Sequence, residues 1–143
     1  MWFNPIMIWL LRSPLHGMLS KNTMLIAYTG RKTGKSFVTP VNYLRMDEDG
    51  AGVLYTTSYR ERIWWRNLRG GAAVTLTLRR KNVPAQAIAI EDELEVTKVL
   101  VRYLQQAPGL ARYYQLRLDA SGAPDVADAA EAAKRMVIIK SSL

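Results

Sequence analysis

A basic, glycine-containing segment between Thr29 and Ser36 is the best candidate for a binding site in this chain. Two glycines and three cations, Arg31, Lys32 and Lys35, lie here between two apolar runs. Glycine permits positive φ, and successive backbone N–H groups in such a turn can converge on an anion. The segment therefore predicts a cradle for a phosphate or a carboxylate. The alternative is a solvated basic turn that binds nothing.

The spacing excludes a nucleotide-binding P-loop. That motif needs four residues between its first glycine and Gly-Lys-Ser/Thr, and it leads from a strand into a helix. Here three residues separate Gly30 from Gly34, and the segment that follows is β-branched and contains a proline. We therefore predict two strands, Thr23–Thr29 and Ser36–Met46, joined by a basic hairpin loop.

The composition limits the chemistry that the chain can perform. Its 143 residues have an apolar share of 49%, which predicts one folded domain spanning residues 1–143. Without cysteine, and with His16 as the one histidine, thiolate sites, histidine metal clusters and Ser-His-Asp catalysis are not predicted. The formal charge of +8 favours an anionic partner. Because no nucleic-acid-binding motif accompanies this charge, we expect a polyanionic cofactor and no nucleic acid.

Residues 1–20 are predicted to form a helical arm. Asn4 can cap a helix, and Pro5 suits its first position. The run lacks a cationic start and a cleavage site, and Arg12 and Pro14 interrupt it, so neither a signal peptide nor a membrane span is predicted and a cytoplasmic location is expected. Its apolar residues would cover nearly the whole circumference of such a helix. They therefore need a partner, which is the chain's own barrel, a second subunit in a homodimer, or a lipid surface.

The remaining chain alternates strand patterns with helix patterns. A short helix at Ile63–Arg69 should end at two glycines, and since neighbouring helix residues point about 100° apart, one of its tryptophans should face the core and the other a pocket. The further predicted elements are strands at Gly52–Thr57, Ala73–Arg79, Val83–Ile90 and Met136–Lys140, a turn at Arg80–Asn82, and helices starting near Glu91 and Pro124. Six strands with peripheral helices predict an α+β fold closed as a small barrel.

Three motifs taken together resemble one protein family. They are the loop Gly30–Lys35, the strand Thr39–Arg45, and Trp64–Leu68 before another strand. The combination resembles the deazaflavin-dependent nitroreductases, which are split β-barrel oxidoreductases related to FMN-binding, pyridoxamine-phosphate-oxidase-like proteins. The resemblance implies a six-stranded split β-barrel with an N-terminal helix. It also implies coenzyme F420, a deazaflavin with an anionic lactyl-phosphate-oligoglutamate arm, and hydride transfer to an organic acceptor such as a quinone, an enone or a nitro compound.

The same resemblance implies the site residues. The basic loop would bind the phosphate and the arm, the following strand would reach the ring edge through its backbone, and the segments Thr56–Tyr59 and Ile63–Asn67 would complete the site. The implied cofactor-binding residues are Arg31, Lys32, Thr33, Lys35, Phe37, Thr39, Pro40, Val41, Asn42, Thr57, Ser58, Trp64, Trp65 and Asn67. The candidate catalytic proton donors are Ser58, Tyr59 and Tyr113, with solvent as the alternative.

The chain departs from some relatives at two positions. Phe37 stands where they have an arginine or another polar residue, and Tyr59 stands where they have a lysine. Arg60 or Arg62 is a candidate source of the missing charge. A different ligand would equally explain the departures, so the alternative is an FMN-, tetrapyrrole- or lipid-binding split-barrel protein without deazaflavin reductase activity.

Overall fold

The computed structural model describes residues 23–48 and 51–143. The predicted arm at residues 1–20 and His16 lie outside the described residues. The described chain has an α+β architecture with one seven-stranded sheet, whose strand order is β2-β1-β5-β6-β7-β4-β3. The strands are β1 Thr23–Thr29, β2 Ser36–Asn42, β3 Leu44–Glu48, β4 Ala51–Tyr59, β5 Ala72–Leu78, β6 Lys81–Ile90 and β7 Met136–Ser142. β2 and β3 stand at the two ends of this order, and closure into a barrel stays a prediction.

Two α-helices and two 3-10 helices accompany the sheet in the described chain. They are α1 Glu93–Gln106, α2 Val126–Ala133, and the 3-10 helices Trp64–Leu68 and Pro108–Tyr114. The chain divides into two compact units. The first takes in the described residues up to Thr57, Ile63–Ala89 and Ile139–Leu143, and the second takes in Ser58–Arg62 and Ile90–Ile138. Most of the sheet belongs to the first unit, and both α-helices belong to the second.

The predicted second strand, Ser36–Met46, is two strands in the structure. Antiparallel pairing of β2 with β1 ends at Asn42, and β3 then pairs with β4 from Leu44 onward. The Thr56 hydroxyl donates to the main-chain carbonyl of Asn42 at 2.8 Å, and the Thr57 N–H donates to Asn42 Oδ1 at 3.1 Å. These bonds fix the end of β2 against β4, so the chain changes its partner strand at this point. The prediction of six strands was therefore wrong by one.

Most other boundaries lie close to the predicted ones. β1 has its predicted bounds, and the predicted helix at Ile63–Arg69 is a short 3-10 helix. The turn predicted at Arg80–Asn82 is one residue earlier, at Arg79 and Arg80. Asn82 instead pairs with Thr77, whose hydroxyl donates to Asn82 Oδ1 at 2.9 Å.

Each unit has its own apolar core. In the first unit β1 buries Met24, Leu25 and Ile26, and the first 3-10 helix buries Leu68 completely. In the second unit α1 packs on α2, with large apolar side chains on α1 facing alanines on α2. The buried apolar residues of this helix pair are Val96, Val99, Leu100, Tyr103, Leu104, Ala129, Ala132 and Ala133.

Candidate cofactor cleft

The basic loop, residues 30–35, is held by its own backbone. The Gly30 N–H donates to the Lys35 carbonyl and the Gly34 N–H donates to the Gly30 carbonyl, both at 2.8 Å. Gly34 has a φ of 70°, which favours glycine. The Lys35 N–H donates to the hydroxyl of Thr33 at 3.3 Å. Three amide groups of the loop thus donate within the loop itself, so most of its capacity to bind an anion lies in its side chains.

The 3-10 helix Trp64–Leu68 fixes the position of Arg31. The Arg31 N–H donates to Asn67 Oδ1 at 3.0 Å, and the other end of that amide, Asn67 Nδ2, donates to the Trp64 carbonyl at 2.8 Å. The guanidinium of Arg31 also donates to the main-chain carbonyl of Arg69. Asn67 therefore joins the loop to the helix, and the two form one continuous surface.

Three aromatic rings lie beside the loop. Tyr28 and Phe37 are directly opposite each other in the β1–β2 ladder, and their rings stack at 5.8 Å with an interplanar angle of 24°. The ring of Trp64 is also 5.8 Å from that of Tyr28. The phenol oxygen of Tyr28 is 3.1 Å from the hydroxyl of Thr39. Burial raises the pKa of Tyr28 above its ordinary value, which this hydrogen bond partly offsets, so the phenol is neutral at physiological pH.

Glycine is required at the start of the loop. A Cβ on Gly30 would lie 2.7 Å from the ring carbon Cε2 of Phe37 and 3.1 Å from the hydroxyl of Thr33. The stacked ring of Tyr28 restricts movement of Phe37 away from such a contact. A larger residue here would therefore disturb the aromatic rings and the basic loop together.

The loop, the rings and the 3-10 helix line a cleft of about 570 Å³. Four cations line it, Arg31, Lys32, Arg66 and Arg69, and its described lining includes no carboxylate. A cleft lined by one sign of charge concentrates ligands of the opposite sign. The complete described lining is Tyr28, Gly30, Arg31, Lys32, Thr33, Phe37, Ile63, Trp64, Arg66, Asn67 and Arg69.

The two adjacent tryptophans face different environments, as predicted. Trp65 is only 2% exposed and lies in the core. Trp64 is half-buried and lines the cleft. The guanidinium carbons of Arg66 and Arg69 lie over the ring of Trp65, at 5.8 and 5.1 Å from its centroid. Trp65 is thus a support for two cleft cations, whereas Trp64 presents its own ring to the cleft.

The structure brings together part of the predicted cofactor-binding set. Arg31, Lys32, Thr33, Phe37, Trp64 and Asn67 line the cleft. The hydroxyl of Thr39, two residues after Phe37 on β2, forms a hydrogen bond with the phenol of Tyr28. Asn42 and Thr57 bond to each other through side chain and backbone where β2 meets β4. Pro40 and Val41 lie on β2, Lys35 is exposed at the loop end, and Trp65 is buried.

The predicted proton donors belong to the second unit. Ser58 is 7% exposed and Tyr59 is 40% exposed. The backbone of Tyr113 lies in the 3-10 helix Pro108–Tyr114. The catalytic roles of these three residues stay predictions.

Arg60 is held by hydrogen bonds to main-chain carbonyls of the second unit. The Arg60 guanidinium donates to the main-chain carbonyls of Ala133 and Glu91. The main-chain N–H of Arg60 donates to the carbonyl of Arg135 at 2.9 Å. The guanidinium thereby satisfies the carbonyl of Ala133, the last residue of α2, which otherwise lacks a helical partner. Arg60 was one of two candidates, with Arg62, for the charge that the departures remove, and the bonds that its guanidinium makes lie within the second unit.

Two cleft residues, Tyr28 and Arg69, were missed from the sequence. Pairing the predicted strands outward from the loop would have set Tyr28 opposite Phe37, so hairpin register was a usable signal. Arg69 follows Arg66 by three residues, a spacing that places both on one helix face. That signal is weak without knowing which face the cleft uses.

Residues 23–48 and 51–143 contain no cluster of His, Cys, Asp and Glu side chains that could hold a metal ion. In the same residues no helix has the length and apolarity needed to cross a membrane.

A family model described as F420H(2)-dependent quinone reductase matches residues 13–122. The chain belongs to this family. The match bears out the resemblance to deazaflavin-dependent reductases, makes the protein an oxidoreductase and identifies its cofactor as coenzyme F420. No curated protein matches the chain.

The cleft residues fit this coenzyme. F420 combines a planar ring system with an anionic arm, and the cleft combines aromatic side chains with four cations. Arginine and lysine bind phosphate and carboxylate through charge-assisted hydrogen bonds, while aromatic rings suit a flat heterocycle. Both parts of the coenzyme therefore have suitable partners among the described lining residues.

Proposed function

We propose that this protein is an F420H2-dependent quinone reductase whose acceptors extend to other electron-poor organic compounds, including enones and nitro compounds. The observation that carries the proposal is the cleft of the first unit, where four cations and three aromatic rings line one space. The family match supports the reaction class. The residues of the cleft support the way in which the cofactor is bound.

The cleft residues divide the work of binding. Arg31 and Lys32 bind the phosphate of the arm, since both are exposed cations on the loop that lines the cleft. Phe37 and Trp64 contact the ring system, and the backbone of Thr39–Asn42 pairs with its polar edge. Reduced F420, when bound, supplies the hydride. The protein's task is to hold the donor and the acceptor close together and to keep water away from them.

The acceptor also needs a proton. Addition of a hydride to one carbonyl oxygen of a quinone leaves an oxyanion at the other oxygen, and one proton there completes the hydroquinone. Ser58, Tyr59 and Tyr113 are the proposed donors, because each has a hydroxyl that can donate a hydrogen bond to an oxyanion. Proton donation by solvent is the alternative.

The N-terminal residues suggest the partners. Met1–Leu11 contains no charged side chain and is rich in aromatic and aliphatic residues. We include in the proposal that this segment contacts either a second copy of the chain, giving a homodimer, or a lipid surface. Large exposed apolar segments of this kind are costly in water without such a partner.

Tryptophan fluorescence tests the cofactor assignment. Oxidised F420 and, separately, FMN are titrated into the purified protein, into Trp64→Phe and into Trp65→Phe. We expect F420 to quench the emission of the parent and of Trp65→Phe, and the quenching to fall strongly in Trp64→Phe, because Trp64 lines the cleft. Oxidation of F420H2 is then followed with a soluble quinone, an enone and a nitro compound as acceptors.

The alternative ligands give a different result. Saturable binding of FMN with no response to F420 would favour an FMN protein with the same cleft. Equal quenching by F420 in the parent and in both variants would exclude Trp64 as a ring contact. F420 binding without oxidation of F420H2 by any acceptor would favour a binding protein without reductase activity.

A further inference from the structure

The hairpin that joins β5 to β6 carries three consecutive exposed cations at its tip. Arg79 and Arg80 form the two-residue turn, and Lys81 is the first residue of β6. All three side chains are exposed, and none of them forms an ion pair with a carboxylate of the described residues. We call these three residues the basic tip, Arg79–Lys81. Its positive charge faces solvent without neutralisation by the described chain.

The backbone of the basic tip is unfavourable for arginine. The φ angle is 47° at Arg79 and 71° at Arg80, in the left-handed region that favours glycine and asparagine. A turn that only had to be solvated would not require arginine at either position, because Asn-Gly is polar and fits the same backbone. Strained residues concentrate where a protein binds something. The strain therefore indicates a role for the charge at this tip.

The N-terminal segment of the chain joins the sheet at the same end as the basic tip. β1 and β5 are antiparallel, with Leu25 opposite Thr77. Continuing this register by two residues sets Thr23, the first residue of β1, opposite Arg79. The basic loop follows the other end of β1. The uncharged apolar segment Met1–Leu11 is therefore connected to the sheet at the end that carries the basic tip, away from the basic loop.

We propose that the basic tip, Arg79–Lys81, binds the anionic headgroups of a lipid surface. Stable attachment to a membrane takes two signals, such as an apolar anchor and a cluster of cations beside it. This chain has both kinds of signal at one end of its sheet. Among the partners proposed above for Met1–Leu11 the inference takes the lipid surface, so it rests on that part of the proposed function and not on the coenzyme.

Nucleic acid is the other polyanion that a cluster of cations could bind. Proteins that bind single strands stack bases on aromatic side chains, and residues 77–84 contain no aromatic residue. An apolar segment such as Met1–Leu11 gains nothing from a phosphate backbone, whereas it gains from burial in a lipid surface. The combination at this end of the sheet therefore favours lipid.

The experiment measures co-sedimentation of the full-length protein with two kinds of vesicle, phosphatidylcholine alone and phosphatidylcholine mixed with phosphatidylglycerol. Arg79→Asn/Arg80→Gly removes both arginine charges and relieves the backbone strain, so that a loss of binding cannot come from unfolding. Arg79→Lys/Arg80→Lys keeps the charge at the tip. The control Lys98→Gln/Lys134→Gln removes the same charge from two exposed ion pairs of the second unit.

We expect the parent to bind the mixed vesicles more tightly than phosphatidylcholine alone, and added salt to weaken this binding. The Asn-Gly variant should lose about thirtyfold in affinity for the mixed vesicles, at about fivefold for each cation removed. The Lys-Lys variant and the control should bind as the parent does, because the charge of the tip is unchanged in both. Melting temperatures of all four proteins check that each is folded.

Four results would overturn the proposal. They are equal binding by the parent and the Asn-Gly variant, an equal loss in the control, an equal loss in the Lys-Lys variant, and release from the vesicles by inorganic phosphate at matched ionic strength. The second would assign binding to net charge alone, the third would exclude the charge of the tip as the cause, and the fourth would assign the tip to a free anion. Binding of duplex DNA that is lost in the Asn-Gly variant, without binding of vesicles, would make the partner a nucleic acid.

Deletion of Met1–Leu11 separates this proposal from the one on which it rests. Loss of vesicle binding in the deletion variant but not in the Asn-Gly variant would refute the role of the basic tip and keep the lipid contact of the segment. No binding of the parent to mixed vesicles would refute both. If the parent oxidises no F420H2, the coenzyme assignment fails and the lipid result still decides this proposal.

Discussion

Two lysines of the basic loop look equivalent in the sequence but differ in whether they line the cleft. Lys32 and Lys35 are both exposed in the basic loop, yet only Lys32 is among the described residues that line the cleft. We therefore expect Lys32→Ala to weaken F420 binding about tenfold, since it removes a charge-assisted contact, and Lys35→Ala to change it little. Dissociation constants from fluorescence titration at low salt test this directly.

Thermal unfolding of both variants provides the control. Neither lysine side chain is buried, so each substitution should change the free energy of unfolding by no more than about 0.5 kcal/mol. Arg31→Ala is a less clean test, because the guanidinium of Arg31 also bonds to the Arg69 carbonyl. An equal loss of affinity in Lys32→Ala and Lys35→Ala would mean that the whole loop, and not one side of it, contacts the coenzyme.

The sequence could predict the role of a residue where that role depends on its neighbours in the sequence. Glycines and cations in the loop, and the opposite environments of Trp64 and Trp65, follow from local spacing. The role of Asn42 does not, because it depends on bonds to Thr56 and Thr57 on another strand. Arg69 likewise depends on Arg31, a residue 38 positions away. Contacts of this range are fixed by the fold, and a local pattern cannot reveal them.

At the scale of secondary-structure elements, the β5–β6 hairpin turn is strained. It consists of Arg79 and Arg80, with φ of 47° and 71°, and Leu78 pairs with Lys81 across it. A two-residue turn with both φ values positive strongly favours Asn-Gly, because positive φ brings Cβ close to the next carbonyl oxygen, which glycine avoids and asparagine tolerates better than arginine does. We expect Arg79→Asn/Arg80→Gly to raise the free energy of unfolding by about 1 kcal/mol.

Chemical denaturation of this double variant measures the effect. The midpoint should rise with an unchanged slope, because the surface exposed on unfolding stays the same. Arg79→Asn alone should give a smaller gain. A lower midpoint in the double variant would mean that the two arginine side chains make contacts that outweigh the relief of backbone strain.

The segment before α2 is held by an acid-sensitive contact. Asp128 Oδ2 accepts from the N–H and from Nε of Arg117, both at 2.9 Å, and Asp128 Oδ1 accepts from Nη2 at 3.2 Å. The side-chain hydrogen bond from Arg117, followed by that from its backbone, lowers the pKa of Asp128 below its ordinary value of 3.8. A carboxylate with a lowered pKa in the folded state stabilises that state above its unfolded pKa.

The stabilisation by Asp128 should therefore be complete above about pH 5 and disappear as the pH falls through its folded-state pKa. Asp128→Asn should unfold more easily than the parent at neutral pH, and the difference should shrink in strong acid. Melting temperatures measured from neutral to acidic pH check this, with Glu131→Gln as a control, because the Glu131 carboxylate forms an exposed i,i+3 pair with Lys134. A constant difference at every pH would assign the effect to packing and not to charge.

The pattern of elements was predictable where each strand has a clear local signal. β1 and β7 start at the residues predicted, because β-branched runs begin abruptly there. The division of Ser36–Met46 into β2 and β3 was not predictable, because Pro40 lies inside β2 and neither glycine nor proline stands at Tyr43, where the division falls. Only the bonds of Asn42 to β4 decide where the chain changes its partner.

At the scale of the whole molecule, the described residues form two compact units, and the cleft lies entirely within the first. The family match covers residues 13–122, so it begins after the uncharged apolar segment Met1–Leu11. The cleft lining begins at Tyr28 and ends at Arg69. Cofactor binding and the partner of the N-terminal segment are therefore separable properties that a truncation can test.

Deletion of Met1–Leu11 should leave the affinity for F420 within about twofold of the parent, because none of the described cleft residues is removed. The same deletion should convert a homodimer to a monomer or abolish co-sedimentation with anionic liposomes, since the apolar side chains that need a partner are gone. Light scattering and liposome sedimentation distinguish the two partners. If the truncated protein equals the full-length protein in both assays, the segment packs on its own chain, and a loss of F420 affinity in that variant would place it beside the cleft.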